Sequence, residues 1–353
     1  MKKIIITGVT GQDGSYMVDF LLKNTDYDII GVRRRSSNPN LENIKHNLNN
    51  PRFKIIIADL SDSNSIDEIV KDFIPDYFFN FGAQSFVGSS WQIPLQTFDT
   101  TALGVLRCLE AIRKYAPKCR FYSAGSSEEM GDVIYSPQDL DHPIRPRSPY
   151  GAAKAAARHI TKVYRDSYNL YAIHSILYNH ESERRGEEFV TRKITNGVAR
   201  IYHAIKNGLA FNPINLGNLD SKRDWSHAED FIEGVWMMMN QSEPKEYILS
   251  SNQTHSVREF VEKSFKFAGI PQFNWEGTKE KERLVLPASL CTNKGIKSSI
   301  LVAINPKFYR PAEVDLLLGD SSKARDELKW SPKNSFDNLI ERMVKSDIEN
   351  FKS

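Results

Sequence analysis

An α/β fold is predicted, a doubly wound parallel sheet followed by a smaller mixed α/β part, and three features of the sequence predict it. Short runs rich in Ile, Val, Phe and Tyr alternate from the start with segments of helical period, the pattern of a sheet whose crossovers are helices. A glycine-rich stretch stands at the first junction, where a strand hands over to a helix. After about residue 180 the alternation loosens, and the stretch from Glu181 to Arg192 is dense in charge. The expected division is residues 1–180 for the parallel sheet, with later returns of the chain to it, and residues 181–353 for most of the smaller part.

Taken in order, Lys3 to Thr7, Asp28 to Val32, Phe53 to Ala58, Tyr77 to Phe81 and Arg120 to Ser123 read as the first five strands. Between them, Gly14 to Lys23, Ser65 to Phe73 and Thr101 to Tyr115 carry apolar residues on one face and charge on the other, so each buries a stripe against the sheet. Further on, Ile194 to Asn207, Ala228 to Asn240 and Ser256 to Ala268 read as helices and Glu246 to Ser250 as a strand. The region Glu276 to Ile304 has mixed signals and is expected to be mostly loop, and Phe336 to Glu349 a surface helix.

Bulk properties bound the function. With 353 residues, 40% apolar and 26% charged, the chain has the make-up of an ordinary globular protein. A formal net charge of +3 gives no reason to expect a nucleic-acid or membrane partner. Cys108, Cys119 and Cys291 are too few and too scattered for a disulfide framework or a zinc site, so no metal is expected. No apolar run approaches the length of a bilayer span, and a cytoplasmic protein is expected.

The first junction reads Gly8-Val9-Thr10-Gly11-Gln12-Asp13-Gly14, a GxxGxxG loop after a buried strand. Glycines there permit a tight turn and close backbone approach, and a pyrophosphate can rest on the amides of the following helix, as in a Rossmann-type dinucleotide site. Its competing reading is a set of plain turn glycines. At the end of the second strand, where a carboxylate would bind the ribose of NAD, stand Arg33, Arg34, Arg35, Ser36 and Ser37. Guanidinium groups pair with phosphate oxygens, so NADP is the expected cofactor; a solvated basic turn is the alternative. Asp59 and Leu60 after the third strand are well placed to border the adenine, a simple turn acid being an equal alternative, and Phe81, Gly82 and Ala83 at the end of the fourth are expected to contact the cofactor.

Tyr150 and Lys154 stand four residues apart, one turn apart on one helix face. An ammonium beside a phenol is expected to lower its pKa, letting the tyrosine take a proton from a substrate alcohol. About two dozen residues upstream, Ser126 and Glu128 point to the same side if that backbone is extended. Ser126 can hold the reacting alcohol, and Glu128 can make a second proton transfer that a plain dehydrogenase does not need. The competing reading makes Glu128 and Glu129 a solvated turn pair.

Together these residues resemble the extended short-chain dehydrogenase/reductase superfamily, and further stretches resemble the GDP-mannose 4,6-dehydratase family in particular. Those stretches are Gly8 to Tyr16, Arg34 to Ser37, Gly82 to Ser85, Arg147 to Tyr150, Asn179 to Ser182, Arg184 to Glu187, Phe189 to Ile194, Arg223 to Trp225 and Arg310 to Val314, nearly the whole chain in the family's order. The resemblance implies Ser126, Glu128, Tyr150 and Lys154 as the catalytic set, with Ser126 where threonine is more usual. It also implies Asn179, Val190, Lys193, Arg223, Arg310 and Glu313 around a GDP-sugar, Ser85 near the hexose and His180 beside the cofactor, His180 being more a packed histidine than a catalyst. Arg184, Arg185 and Arg192 are as easily structural or interface residues. The implied reaction oxidises C4, with Tyr150 taking the O4 proton and hydride passing to NADP; Glu128 removes the C5 proton as the C6 hydroxyl leaves as water, and the hydride returns to C6. A homodimer or homotetramer is implied, with Arg33 to Asn38 reaching a neighbouring subunit.

Three departures from the family pattern stand out: Ser126, Glu129-Met130 in place of Leu-Tyr, and Phe86 where histidine is common. If Met130 and Phe86 wall the sugar pocket, the hexose could be a GDP-D-glycero-D-manno-heptose rather than mannose. A nucleotide-sugar 4-epimerase or 4-ketoreductase would need Ser126, Tyr150 and Lys154 but not Glu128. A non-catalytic NADP-binding regulator would need none of them.

Overall fold

The structure, a computed structural model, describes residues 2–294, 296, 298–309 and 316–351. Its centre is a seven-stranded parallel sheet. Strands β1 (Lys3–Thr7), β2 (Asp28–Arg33), β3 (Phe53–Ile57), β4 (Tyr77–Asn80), β5 (Arg120–Ala124) and β6 (Ala172–Leu177) are joined at the edge by the short strand Ile248–Leu249. The spatial order, from that edge, is Ile248–Leu249, β6, β5, β4, β1, β2, β3. The order therefore reverses between β1 and β4, and the crevice outside the carboxyl ends of those two strands is where open α/β sheets bind ligands. Helices cover both faces, which is why β1 carries isoleucine at successive positions: Ile4 and Ile6 enter one core and Ile5 the other, all fully buried.

Helix α1 (Gln12–Asn24) packs on one face with the helix Ala228–Met239; α2 (Ser63–Phe73) packs on the other with Gly104–Tyr115. The expected helix from Thr101 begins instead as a π turn over Asp99–Leu103 before becoming α-helical. The chain leaves the sheet after β6 and returns in Ala228–Met239, Ile248–Leu249 and Ser322–Leu328, whose apolar side chains share a core with α1.

A second core lies among the helices Val190–Lys206, Val257–Phe267 and Phe336–Glu349 and a small sheet of Asn274–Glu276, Arg283–Val285, Ile300–Ile304 and Ile214–Leu216. Two expectations are corrected here. Glu276 to Ile304 is not mostly loop: its strands pair antiparallel through Leu284 and Val302, both buried, with the helix Ala288–Lys294 between them. The last helix is not merely a surface element, because Leu339, Ile340, Met343 and Val344 recur at helical spacing and fill this core. Among the described residues no helix is long and apolar enough to cross a membrane.

Candidate active site

The glycine loop turns where β1 ends. Gly8 has a φ of 66°, and a Cβ there would lie 2.8 Å from the Gly82 nitrogen, so the loops after β1 and β4 approach as only glycine allows. A Cβ at Gly14 would meet the Gly8 oxygen at 2.4 Å, so this glycine lets α1 start tight against the turn. Gly11 is the N-cap of α1 and offers no side-chain cap, which leaves the first amides of the helix for an anion. Thr10 is half-buried in the loop, its carbonyl accepting from Asn43 Nδ2 at 3.1 Å. Gln12 and Asp13 turn inward. Gln12 donates to the His180 carbonyl at 3.0 Å, and Asp13 Oδ2 lies 3.0 Å from His180 Nε2. His180 also contacts the Tyr178 carbonyl at 2.8 Å and stacks on Phe231, so it is the packed histidine expected. The Asp13 carboxyl is held at about 2, against its burial, chiefly by His180, whose own pKa is raised by Asp13.

Beside this loop, Arg33 ends β2, and Arg34, Arg35, Ser36 and Ser37 follow it exposed. Among the described residues none of the three arginines has a carboxylate partner, and Arg33 donates only to the Arg34 carbonyl. Asp59 accepts from Ser61, amide and hydroxyl, and Leu60 packs under Gly82. Gly82 donates its amide to Thr7 Oγ1 at 3.1 Å, Phe81 and Ala83 are half-buried, and Ser85 is exposed.

The catalytic candidates meet at the end of β5. The backbone is extended at Ser126 but not beyond it: residues Ser127–Glu129 form a 3-10 turn capped by Ser126, whose hydroxyl accepts from the Glu128 amide at 3.2 Å. This corrects the extended reading of Ser126 to Glu128. Both glutamates are buried, which also removes the solvated-pair alternative. Glu128 nonetheless stays beside the phenol, since its charge raises the pKa of Tyr150 while a hydrogen bond from Ser126 lowers it. The helix Pro149–Tyr168, capped by Ser148, carries Tyr150 and Lys154 against this turn. Lys154 Nζ donates to the Ala124 carbonyl at 2.5 Å and lies 5.9 Å from the Tyr150 ring centroid.

The expected lowering of the Tyr150 pKa by Lys154 is not found in the protein alone. Burial dominates and raises it, and the ammonium is turned to a backbone carbonyl. Burial also brings Lys154 down to about 8, with Glu129 and Asp13 pulling the other way. Met130 does not face a pocket: it is fully buried among Ile176, Tyr178, Ile248 and Leu317. Glu129 lies equally deep, so two of the residues that suggested a larger sugar belong to the interior. Phe86 packs edge-on against Phe189.

Of the residues assigned to a nucleotide sugar, Asn179 opens a short strand paired with Trp225–His227, and its buried Oδ1 has no hydrogen-bond partner among the described residues. Val190 and Lys193 occupy the first turn of the helix Val190–Lys206, which holds no acidic residue and no side-chain cap. Lys193 Nζ sits 3.2 Å from the Phe308 ring centroid, and burial brings its pKa down to about 8. Arg223 is buried and donates to the Lys222 carbonyl. Arg310 and Glu313 lie outside the described residues. Arg184 pairs with Asp19 and Arg192 with Asp347. Arg185 pairs with the buried Glu181 at 3.0 Å and also stacks on Phe189 at 3.5 Å, and its charge reaches Tyr150, Asp13 and His180. Its weight, and the Glu129–His174 contact at 2.9 Å, were not read from the sequence; a histidine inside an apolar strand was the available signal for the second.

The family model described as "GDP-mannose 4,6 dehydratase" matches residues 5–343. The curated "GDP-mannose 4,6 dehydratase" of Drosophila melanogaster is 45% identical, covering 99% of this chain and 86% of that protein. The Vibrio cholerae serotype O1 protein of that name is 43% identical over 100% of this chain and 95% of its own length, and the Homo sapiens protein 42% identical over 98% and 91%. Among solved structures, a UDP-glucose 4-epimerase of Thermotoga maritima superimposes with a TM-score of 0.78 at 21% identity, covering 98% of both chains. A dTDP-glucose 4,6-dehydratase of Streptomyces venezuelae does so with a TM-score of 0.79 at 19% identity, covering 99% of this chain and 97% of that one. At such identities these two report the fold.

Proposed function

The chain belongs to the GDP-mannose 4,6-dehydratase family, and from that premise we propose that it converts GDP-mannose to GDP-4-keto-6-deoxymannose with loss of water, using NADP. The observation that carries this reading is a buried carboxylate, Glu128, on the turn that packs against the start of the helix carrying Tyr150, its charge opposing ionisation of that phenol. An epimerase needs the phenol and the hydroxyl but has no use for the carboxylate.

The residues present suit a dinucleotide: an uncapped helix start at Gly11, a turn that Cβ atoms at Gly8 or Gly14 would fill, and free guanidinium groups at the end of β2 for a ribose phosphate. Held there, the oxidised dinucleotide would supply hydride acceptance and its return to the sugar. Tyr150, held protonated by burial in the protein alone, becomes a base when a positive charge lies beside it. Tyr150 then takes the O4 proton as C4 is oxidised. The C5 hydrogen is now acidic, and Glu128 removes it. Glu128 gives that proton to the C6 hydroxyl, which leaves as water; C6 receives the hydride and C5 receives the proton from Tyr150. Protons and electrons balance, and no net oxidation occurs.

Asn179 offers an acceptor oxygen, and Lys193 and Arg223, with the start of Val190–Lys206, offer donors and positive charge to the GDP-sugar. Arg310 and Glu313 are assigned to it on family likeness. We assign the enzyme to the cytoplasm as a homodimer or homotetramer, which sedimentation tests directly. The function is tested by mass spectrometry after incubating purified protein with GDP-mannose, and separately with GDP-manno-heptose, with NADP and no reductant. Loss of one water from GDP-mannose is the expected result; unchanged mass with both sugars overturns the reading.

A further inference from the structure

Directly behind the catalytic turn is a second carboxylate. Glu129 is fully buried, and its Oε1 accepts from the Ser126 amide at 2.8 Å while lying 2.9 Å from His174 Nε2. His174, on β6 and also fully buried, places Nδ1 3.1 Å from the Ser123 hydroxyl. The other oxygen, Oε2, is buried without a hydrogen-bond partner among the described residues. Room for the pair is made by Gly125: a Cβ there would lie 2.4 Å from His174 Nε2 and 2.8 Å from Glu129 Oε1.

A capping box usually leaves its glutamate in water, where it costs little. Here the same turn is closed by an ionisable group deep in the interior with one oxygen unsatisfied, an expensive way to hold a turn. Lys154 donates to the Ala124 carbonyl, two residues before the Ser126 amide that Glu129 holds, so ammonium and carboxylate grip the same stretch of backbone. The charged and titratable groups around Glu129 are His174 from β6 and Tyr150, Lys154 and Arg158 from the helix Pro149–Tyr168. Those facing Lys154 are Glu129, Asp13 and Tyr150. Lys154 is the one of these that must carry charge for the proposed chemistry.

We propose that Glu129 is a positioning residue whose buried carboxylate, held by the Ser126 amide and His174, fixes the Ser126–Glu128 turn and supplies the counter-charge that keeps Lys154 an ammonium. This rests on the dehydratase reading and adds to it a residue that acts through Lys154 and Ser126. The electrostatics agree in sign: burial lowers the Lys154 pKa, and Glu129 is the first group opposing it. Without that charge, Lys154 loses its proton at lower pH.

The test is Glu129→Gln, which keeps the size and the accepting oxygen but removes the charge. Turnover of GDP-mannose with NADP is measured from pH 6 to 10 for both proteins, and the Lys154 protonation curve is followed by NMR of lysine-labelled protein, assigned with Lys154→Arg. Expected for the variant are a kcat about tenfold lower at pH 8, a KM within about twofold, and an alkaline limb and Lys154 titration displaced about one unit to lower pH. Glu129→Asp keeps the charge, so its limb stays within about 0.3 unit of wild type even if it melts earlier. Superimposable profiles for wild type and Glu129→Gln overturn the proposal, whatever the change in melting temperature. A limb displaced in Glu129→Asp as far as a neutral residue would displace it also overturns it. If the wild type releases no water, the dehydratase reading fails, and the Lys154 titration still decides the role of Glu129.

Discussion

Two adjacent glutamates, Glu128 and Glu129, share a turn and are both buried, yet the direction of each side chain separates their chemistry. Glu128 acts on Tyr150 at the surface of the site; Glu129 reaches back to His174. Glu128→Gln is therefore expected to lower kcat for water loss by about 10²–10⁴ while leaving C4 oxidation possible. Product mass spectrometry together with the absorbance of the reduced nicotinamide checks this, since reduced cofactor should build up as water loss stops. The Asp13–His180 pair makes a second statement at this scale, in stability. Asp13 is held at about 2 rather than 3.8, so its contribution is present above about pH 4 and lost as pH falls through 2. His180 is raised above 6.5, so its contribution is present below that pH and lost as pH rises through its folded value. Asp13→Asn should thus lower the urea midpoint most between about pH 4 and 6.5 and less at either extreme, measured against wild type in parallel titrations.

At the scale of elements, the site is an assembly of strand ends, and this is what made much of it legible. β1 announced itself by apolar residues on both faces followed by glycine, and the Arg33 to Ser37 run by its position after β2. Because Arg34 and Arg35 are exposed and, among the described residues, free of carboxylates, replacing both with alanine should weaken NADP binding by about 10–100-fold while leaving NAD binding nearly unchanged. Calorimetric titration with each cofactor reads the difference, and equal losses for both would remove the phosphate role. The turn at Ser126 was readable and was misread. Ser126-Ser127-Glu128-Glu129 is a capping-box sequence, and the local bond from the Ser126 amide to Glu129 competed with extension of β5 and won. The stretch from Glu276 to Ile304 was harder for a different reason: strands of three residues carry too few positions for an alternating pattern to emerge, and only their antiparallel pairing defines them.

At the scale of the whole molecule, the later returns of the chain to the parallel sheet that were expected after residue 180 are extensive. Phe231, Ile232, Val235 and Met238, then Tyr247 and Leu249, then Leu328 and Trp330 fill the same core as Ile4, Val18 and Tyr122. No local pattern reports that a helix near residue 230 covers a sheet begun at residue 3, because contacts at such separation are decided by which faces remain uncovered. The consequence is that one face of the sheet depends on the second half of the chain. A chain ending at residue 180 would leave α1 without the helix Ala228–Met239 and β6 without its edge partner Ile248–Leu249, exposing an apolar face large enough to aggregate. It is expected to be insoluble or to lack cooperative unfolding. A gentler form of the same test is Trp330→Ala. Trp330 is buried against Phe231, donates Nε1–H to the Asp230 carbonyl at 2.7 Å, and lies more than three hundred residues from β1. Its loss should cost about 3–5 kcal/mol and, because the dinucleotide crevice stands on this same core, bound NADP should recover part of it. Denaturation followed with and without NADP reads both effects. A variant destabilised only in the second core, with no effect of cofactor on its midpoint, would show that the two halves fold as separate units after all.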